Sequence, residues 1–232
     1  MNEQLIFDFP LRADATYVNY IGSAAARLRQ ASPMTSVVFG SAGSGKTHLL
    51  QAACHDAESR GQKGIYLDLQ QPLDARILKS LEQFPLIAID DLDAVVGDRD
   101  WELAVFDLMN SVQDRPGAWL LLALGSHPGQ VNFGLADLAS RCRSAMLIGT
   151  DLLSDGDKAR LLQASARQYG FCLSEEVSRF LINRVPRDMP HLLELMALLA
   201  SESLRRQRLV TIPFVKETLR EKGITAIDCH KI

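Results

Sequence analysis

The chain carries the run Gly40-Ser41-Ala42-Gly43-Ser44-Gly45-Lys46-Thr47, which fits the pattern G-x-x-x-x-G-K-[ST] at every fixed position. Residues 36–39 before it, of which the last three are apolar, predict a short buried strand, and residues 48–60 after it predict a helix. A loop between strand and helix points several backbone N–H groups, and the positive end of the helix, at one anion. We therefore expect a phosphate-binding loop here, although a glycine-rich turn that merely starts a helix is the alternative.

The last residues of this loop supply its specific chemistry. In such loops the lysine, here Lys46, reaches the β- and γ-phosphates, and the hydroxyl of Thr47 ligates Mg²⁺. We count the next residue, His48, with the eight loop residues as nucleotide-binding. The run thus predicts a site for a nucleoside di- or triphosphate with Mg²⁺.

Composition narrows the class of protein. The 232 residues are 47% hydrophobic and 23% charged, as in ordinary soluble domains, and no apolar run approaches the ~20 residues that span a bilayer. The N-terminus lacks the basic region of a signal peptide, and four scattered cysteines without a C-x-x-C pair favour reduced thiols in a cytosol. The net charge of −3 argues against strong autonomous DNA binding. We expect a cytoplasmic protein with no membrane partner.

Strands and helices alternate over the first two thirds of the chain. Apolar runs predict five strands, at residues 36–39, 65–69, 85–89, 118–124 and 145–148. Helical spacing predicts helices at residues 17–30, 48–60, 73–83 and 101–113. This alternation predicts an α/β fold with a five-stranded parallel sheet.

Beyond Thr150 the pattern contains helices alone. They are predicted at residues 155–169, after Ser174, from about residue 190 to 206, and at residues 213–219. We expect an extended tail at residues 1–14, an α/β nucleotide-binding domain at residues 15–150 and an all-helical subdomain at residues 151–232.

Two acids follow the apolar run 86–89, at the predicted carboxyl end of a parallel strand. This is a Walker B pattern, in which Asp90 would hold Mg²⁺, mainly through water, and Asp91 would orient or activate the attacking water. A strand that ends in an acidic turn is the other interpretation of the same residues. Ser126 follows the next apolar strand and could touch the γ-phosphate, although any loop needs polar residues there.

Taken together, these motifs and the trailing helices resemble an AAA+ ATPase with its lid. The segment Leu135-Ala136-Asp137-Leu138-Ala139-Ser140-Arg141 resembles the arginine-finger region of the replication initiator DnaA and its relatives. The resemblance implies that Arg141 enters the nucleotide site of a neighbouring subunit and offsets charge on its γ-phosphoryl group. The alternative interpretation, which the residues alone favour, is that Arg141 is a solvent-exposed arginine on a helix.

Within that family the chain resembles the Hda branch, whose members inactivate DnaA. We expect no basic helix-turn-helix domain after the lid, and the run Thr211–Leu219 resembles the end of Hda proteins. The run Gln4-Leu5-Ile6-Phe7-Asp8-Phe9 resembles their clamp-binding motif. Gln4 would hydrogen-bond in a groove of the sliding clamp while Leu5, Phe7 and Phe9 fill apolar pockets, unless this run packs on the domain's own core.

The sequence departs from the family at the sensor II position in the lid. Proline stands at residue 190, where the family has a basic residue, and Arg187 lies one turn earlier. A second, milder departure is Ser126, where the family usually has an acid. We therefore expect weak hydrolysis in cis.

The resemblance implies a negative regulator of replication initiation. It would hold ADP or ATP with Mg²⁺, stimulate hydrolysis by DnaA, and reach DNA through the DNA polymerase III sliding clamp (its β subunit). Its AAA+ surfaces would also permit a homodimer. Two alternatives stay open: a stand-alone AAA+ ATPase or loader that uses Asp91, and a binding module that keeps nucleotide only for stability. Pro190 makes the stand-alone ATPase the less favoured alternative, because the basic residue expected at that position is missing.

Overall fold

The structure, a computed structural model, describes residues 11–31, 34–150, 153–184 and 189–223. These residues form two compact units, the first ending at Thr150 and the second beginning at Leu153. The predicted clamp-binding residues 4–9 and the predicted sensor II neighbour Arg187 lie outside the described residues. In the part of the chain that is described, no helix is long and apolar enough to cross a membrane.

The first unit is built on a five-stranded parallel sheet, as predicted. Its strands are β1 (Thr35–Phe39), β2 (Gly64–Asp68), β3 (Leu86–Asp90), β4 (Trp119–Leu124) and β5 (Met146–Gly149), in the order β2-β3-β4-β1-β5. Every residue of β3 is buried, because helices cover both faces of a parallel sheet. Its side chains alternate between the two cores, with Ile87 and Ile89 on one face and Leu86 and Ala88 on the other.

Five helices flank this sheet: α1 (Ala24–Gln30), α2 (Lys46–Ser59), α3 (Leu78–Leu81), α4 (Arg99–Gln113) and α5 (Ala136–Ser144). Helices α1 and α2 pack on one face, whereas α3, α4 and α5 pack on the other. Single 3₁₀ turns lie at Ala75–Ile77, Leu92–Val95 and Pro128–Gln130. Because the helices cover the two faces of the sheet, its carboxyl edge is formed by the loops that follow the strands.

Two helix predictions for this unit were wrong, and one helix had no predicted bounds. The helix predicted at residues 17–30 begins only at Ala24, because Gly22 takes φ +133° and the preceding residues dock on α2 through their backbone. The helix predicted at residues 73–83 is a 3₁₀ turn followed by the short α3, since the Asp74 carboxylate accepts from the Arg76 N–H and imposes a tight turn. The bounds of α5 were not predicted, because its nine residues are too short for a clear period.

The second unit contains the four predicted helices: α6 (Asp155–Gln168), α7 (Glu175–Arg184), α8 (Met189–Arg206) and α9 (Ile212–Glu221). Ser154 caps α6 through its Oγ, which accepts from the Asp157 N–H, and Thr211 caps α9 in the same way. A core of leucine, valine and phenylalanine side chains, centred on the fully buried Phe214, joins the helices. Pro190 lies in the first turn of α8, where a proline costs no helical hydrogen bond.

Candidate nucleotide-binding site

The predicted site residues of the first unit gather at the carboxyl edge of the sheet. Because all five strands are parallel, the loops after β1, β3, β4 and β5 begin side by side. The Asp93 carboxylate joins two of them by accepting from the Gly125 N–H at 2.6 Å. The phosphate-binding loop, the acid pair and Ser126 therefore share one edge, with Ser126 half-buried in its loop.

The phosphate-binding loop is shaped by its glycines and by Thr150. Gly43 and Gly45 have φ of +75° and +91°, a backbone region that favours glycine. A Cβ on Gly40 would lie 2.1 Å from the Oγ1 of Thr150, so no side chain fits there. The hydroxyl of Thr150 in turn lies 2.6 Å from the Oγ of the buried Ser44. Sequence reasoning missed Thr150, although a polar residue directly after a strand was the signal used for Ser126.

Lys46 lies across the mouth of the loop. Its Nζ donates to the carbonyl oxygens of Gly40 at 2.9 Å and Ser41 at 3.1 Å. An ammonium has three donors, so one remains for an anion in the loop. Thr47 is exposed in the first turn of α2. This is where a hydroxyl has to lie to reach a metal ion held by the phosphates.

The acid pair splits into a buried and a half-buried carboxylate. Asp90 is 1% exposed; its Oδ2 accepts from the Tyr66 hydroxyl at 2.8 Å and its Oδ1 from the Asp91 N–H at 3.0 Å. Asp91 has a left-handed backbone (φ +51°), and its Oδ2 accepts from the Gln70 amide at 2.7 Å. Burial, and then the negative charge of Asp90, raise the pKa of Asp91, while the Lys46 ammonium opposes this rise. The Asp91 carboxylate is thus positioned by Gln70 and lies close enough to Lys46 for their charges to interact.

The residues at this edge fit Mg²⁺. Thr47 and Asp90 offer hard oxygen ligands, and each Asp90 oxygen keeps a lone pair beyond its single protein donor. Among the described residues, no cluster of three or more His, Cys, Asp or Glu side chains could hold a metal by itself. A magnesium ion at this edge would take few protein ligands and complete its shell with phosphate oxygens and water.

Residues 11–20, which we call the strap, lie along α2. The Arg12 N–H donates to Gln51 Oε1 at 3.1 Å, the Arg12 carbonyl lies 3.0 Å from His55 Nε2, and the Thr16 carbonyl lies 2.8 Å from His48 Nε2. The ring of Tyr20 lies against the phosphate-binding loop, since a Cβ on Gly45 would be 3.0 Å from it. His48, predicted to bind nucleotide, thus anchors the strap, and burial lowers its pKa.

Arg141 lies apart from this edge. It sits on α5, and its guanidinium donates to the side-chain amides of Asn110, at 2.9 Å, and Gln113, both on α4. In the described chain the predicted finger therefore contacts neutral partners of its own unit.

The start of α5 is held by a buried acid that sequence reasoning missed. Glu102 of α4 is 2% exposed, and its carboxylate accepts from three backbone N–H groups, of Gly97 at 2.8 Å, Gly134 at 2.9 Å and Leu135 at 2.5 Å. Leu135 is the N-cap residue of α5. Helix α4 therefore grips α5 near both of its ends.

Comparisons with known proteins agree with this geometry. A model of the family described as "Hda, lid domain" matches residues 155–219. An uncharacterized protein of Haemophilus influenzae is 37% identical over 229 residues, which is 94% of this chain and 99% of that protein. The crystal structure of domain III of Thermotoga maritima DnaA superposes with a TM-score of 0.77 at 18% identity, covering 91% of this chain and 98% of that one. AMPPCP-bound DnaA from Aquifex aeolicus gives a TM-score of 0.67 at 21% identity, over 93% of this chain and 72% of that one.

The parallel sheet with its phosphate-binding loop, together with a separate helical lid, defines an AAA+ protein. The lid match places the second unit more narrowly. Residues 155–219 match the Hda lid-domain family, and the chain has the fold of the DnaA-related AAA+ proteins.

Proposed function

We propose that this protein is a nucleotide-binding negative regulator of replication initiation that stimulates ATP hydrolysis by DnaA. The observation that carries the proposal is the position of Arg141, which projects from α5 onto two amides of α4 and contacts none of its own phosphate-binding loop. An arginine placed in this way suits a nucleotide held by another subunit. The Hda lid match supports DnaA as the owner of that nucleotide.

The protein's own site would hold ADP or ATP. The backbone N–H groups of residues 40–47 would surround the phosphates, and the free donor of Lys46 would reach their outer oxygens. Thr47 and Asp90 would hold Mg²⁺, which supplies positive charge to the phosphates. The strap residue Tyr20, whose ring lies against Gly45 of the loop, would contact the base. Strap residues 15–20, with 21–23, are our candidates for base contacts.

Arg141 would act by exchanging partners. A phosphoryl oxygen is a stronger acceptor than an amide oxygen, and a guanidinium binds phosphate through two parallel donors. On docking, Arg141 would leave Asn110 and Gln113 for the γ-phosphoryl group of DnaA-bound ATP and offset the charge that develops there. The water that attacks would be positioned by DnaA.

Residues 4–9 would tether the protein to the DNA polymerase III sliding clamp, and DNA would be reached through that clamp. A tether raises the local concentration of the regulator near replicated DNA, so that each single contact needs only modest affinity. The same AAA+ surfaces are heterologous and would also permit a homodimer.

The central experiment measures ATP hydrolysis by DnaA with clamp-loaded DNA. We expect Arg141→Ala to bind nucleotide normally and to lose stimulation by about 10³-fold or more, the contribution of an arginine finger. Arg143→Ala is the matched control, because this exposed arginine of the same helix donates to a carbonyl of its own helix, that of Ala139. Full stimulation by the Arg141 variant would contradict the proposal.

A second candidate function, an ATPase in its own right, is favoured by one observation. Asp91 is positioned by Gln70, and its raised pKa suits a general base. This function requires steady ATP turnover by the isolated protein that Asp91→Asn abolishes. Pro190, in place of a basic residue, disfavours it, because a charge-assisted contact to phosphate contributes about 1.5–3 kcal/mol.

A further inference from the structure

Tyr66 joins the apolar core of the first unit to the acid pair. It lies on β2, in register with Ala88 of β3, and its ring is buried in the core that α2 covers. Because alternate residues of a strand share a face, Asp90 lies on the same face as Ala88, one step nearer the carboxyl edge. The tyrosine ring spans this step, and its hydroxyl donates to Asp90 Oδ2 at 2.8 Å.

The two oxygens of Asp90 are held by one neutral donor each. Oδ2 accepts from the Tyr66 hydroxyl, and Oδ1 accepts from the Asp91 N–H at 3.0 Å. Burial, and then the negative charge of Asp90, raise the pKa of Tyr66, so the phenol keeps its proton and acts as the donor. Two donors on different oxygens resist rotation of the carboxylate, and neither of them neutralises its charge. Asp90 therefore presents its remaining lone pairs in a fixed orientation.

Core packing explains the ring of Tyr66 but not its hydroxyl. A phenylalanine would fill the same space without a polar atom to bury. The hydroxyl donates to the carboxylate that is proposed to serve Mg²⁺. Residues that hydrogen-bond to a metal ligand from behind orient that ligand and tune the affinity for the metal. The hydroxyl of Tyr66 is placed to do this for Asp90.

We propose that Tyr66 positions Asp90 for Mg²⁺ and thereby sets the preference of the site for Mg²⁺ over Ca²⁺. Mg²⁺ requires nearly ideal octahedral geometry and keeps several waters, whereas Ca²⁺ accepts flexible ligands at longer distances. A carboxylate held in one orientation suits Mg²⁺ and the waters around it, and a carboxylate that is free to rotate suits Ca²⁺. The inference rests on the proposed nucleotide site, in which Asp90 serves the magnesium ion.

The test measures binding of fluorescent ADP to the full-length chain in EDTA, and then as Mg²⁺ or Ca²⁺ is added. In Tyr66→Phe we expect the Mg²⁺ concentration for half-maximal tightening to rise about tenfold or more, the loss typical of a residue that orients a metal ligand. The Ca²⁺ concentration should change much less, and ADP affinity in EDTA should equal that of the wild type. A core that is merely loosened would weaken both ions, and ADP in EDTA, alike.

A double-mutant cycle tests whether Tyr66 acts through Asp90. Asp90→Asn should by itself raise the Mg²⁺ requirement and lose the preference for Mg²⁺ over Ca²⁺, and adding Tyr66→Phe should change neither any further. Urea unfolding in EDTA checks that each variant is folded. Tyr169→Phe removes an exposed phenol of the second unit; it is the matched control and should behave as wild type.

An unchanged Mg²⁺ requirement in Tyr66→Phe would overturn the role of Tyr66 and leave the nucleotide site intact. Equal losses for Mg²⁺ and Ca²⁺ in that variant would overturn it as well. Asp90→Asn tests the inference independently, because a preference for Mg²⁺ that survives in this variant would also overturn it. A wild-type chain that binds no ADP would overturn the nucleotide site and the inference together.

Discussion

At the scale of single residues, the phosphate-binding loop depends on a hydroxyl outside its motif. Thr150 Oγ1 contacts Ser44 Oγ at 2.6 Å and donates to the Phe39 carbonyl at 3.1 Å. We expect Thr150→Val, which keeps the shape and removes both bonds, to weaken ADP binding about tenfold, since 1.4 kcal/mol is within the range of an unpaired buried hydroxyl. Titration with fluorescent ADP measures this. Thr150→Ser is the control, and equal affinity of the valine variant would contradict the role of Thr150.

The buried His48 should make the free energy of unfolding depend on pH. Burial lowers its pKa below the ordinary value of about 6.5, so the unfolded chain binds the proton more readily. The free energy of unfolding therefore keeps its full value above about pH 6.5. It decreases as the pH falls from there toward the lowered pKa of His48, because the unfolded chain takes up the proton first. Urea unfolding at pH 7.5 and 5.5 should show a smaller loss for His48→Gln, whose NH₂ group can still donate to the Thr16 carbonyl. An equal loss in both proteins would refute this account.

At the scale of elements, the hold of α4 on α5 comes from Glu102. In Glu102→Gln an NH₂ group would face backbone N–H donors, and we expect the free energy of unfolding to fall by about 1–3 kcal/mol. Stimulation of DnaA should fall as well, because α5 carries Arg141. Urea unfolding and the hydrolysis assay measure the two effects. Asp107→Asn changes an exposed acid of the same helix and is the control. Equal urea midpoints for the wild-type protein and Glu102→Gln would contradict the role of Glu102.

The elements also show where sequence reasoning works. The five strands could be predicted to within about two residues, because strands buried on both faces leave uninterrupted apolar runs. The phosphate-binding loop could be predicted because its chemistry needs fixed residue types at fixed spacing. Residues 17–23 were misassigned because their conformation is set by contacts with α2, such as that of His48 with Thr16, which local pattern does not contain.

The same reasoning applies to the site. Gly40–Thr47 and the acid pair follow a local pattern, whereas Thr150, Tyr66 and Glu102 act through partners that are distant in the chain. Ser44 and Thr150, for example, are 106 residues apart. No spacing rule connects such pairs, so only the folded chain shows them.

At the scale of the whole molecule, the tail and the finger are predicted to be separable. A chain that lacks residues 1–10 keeps the described strap, the loop and Arg141. We expect it to bind ADP as the intact protein does and to lose the part of DnaA stimulation that depends on clamp-loaded DNA. The hydrolysis assay with and without the clamp measures this. Replacement of Gln4 and Phe7 by alanine is the matched variant, and full clamp-dependent stimulation by the truncated chain would contradict the tether.

The two amides beneath Arg141 have a consequence for the thermodynamics of docking. A free arginine side chain samples many rotamers and loses about 2 kcal/mol of conformational entropy when it is fixed. Asn110 and Gln113 already hold this guanidinium in one orientation, so little of that freedom is left to lose when a partner arrives. Substituting either amide would therefore raise the entropic part of the docking free energy, which calorimetry measures, even though neither side chain is expected to meet the nucleotide.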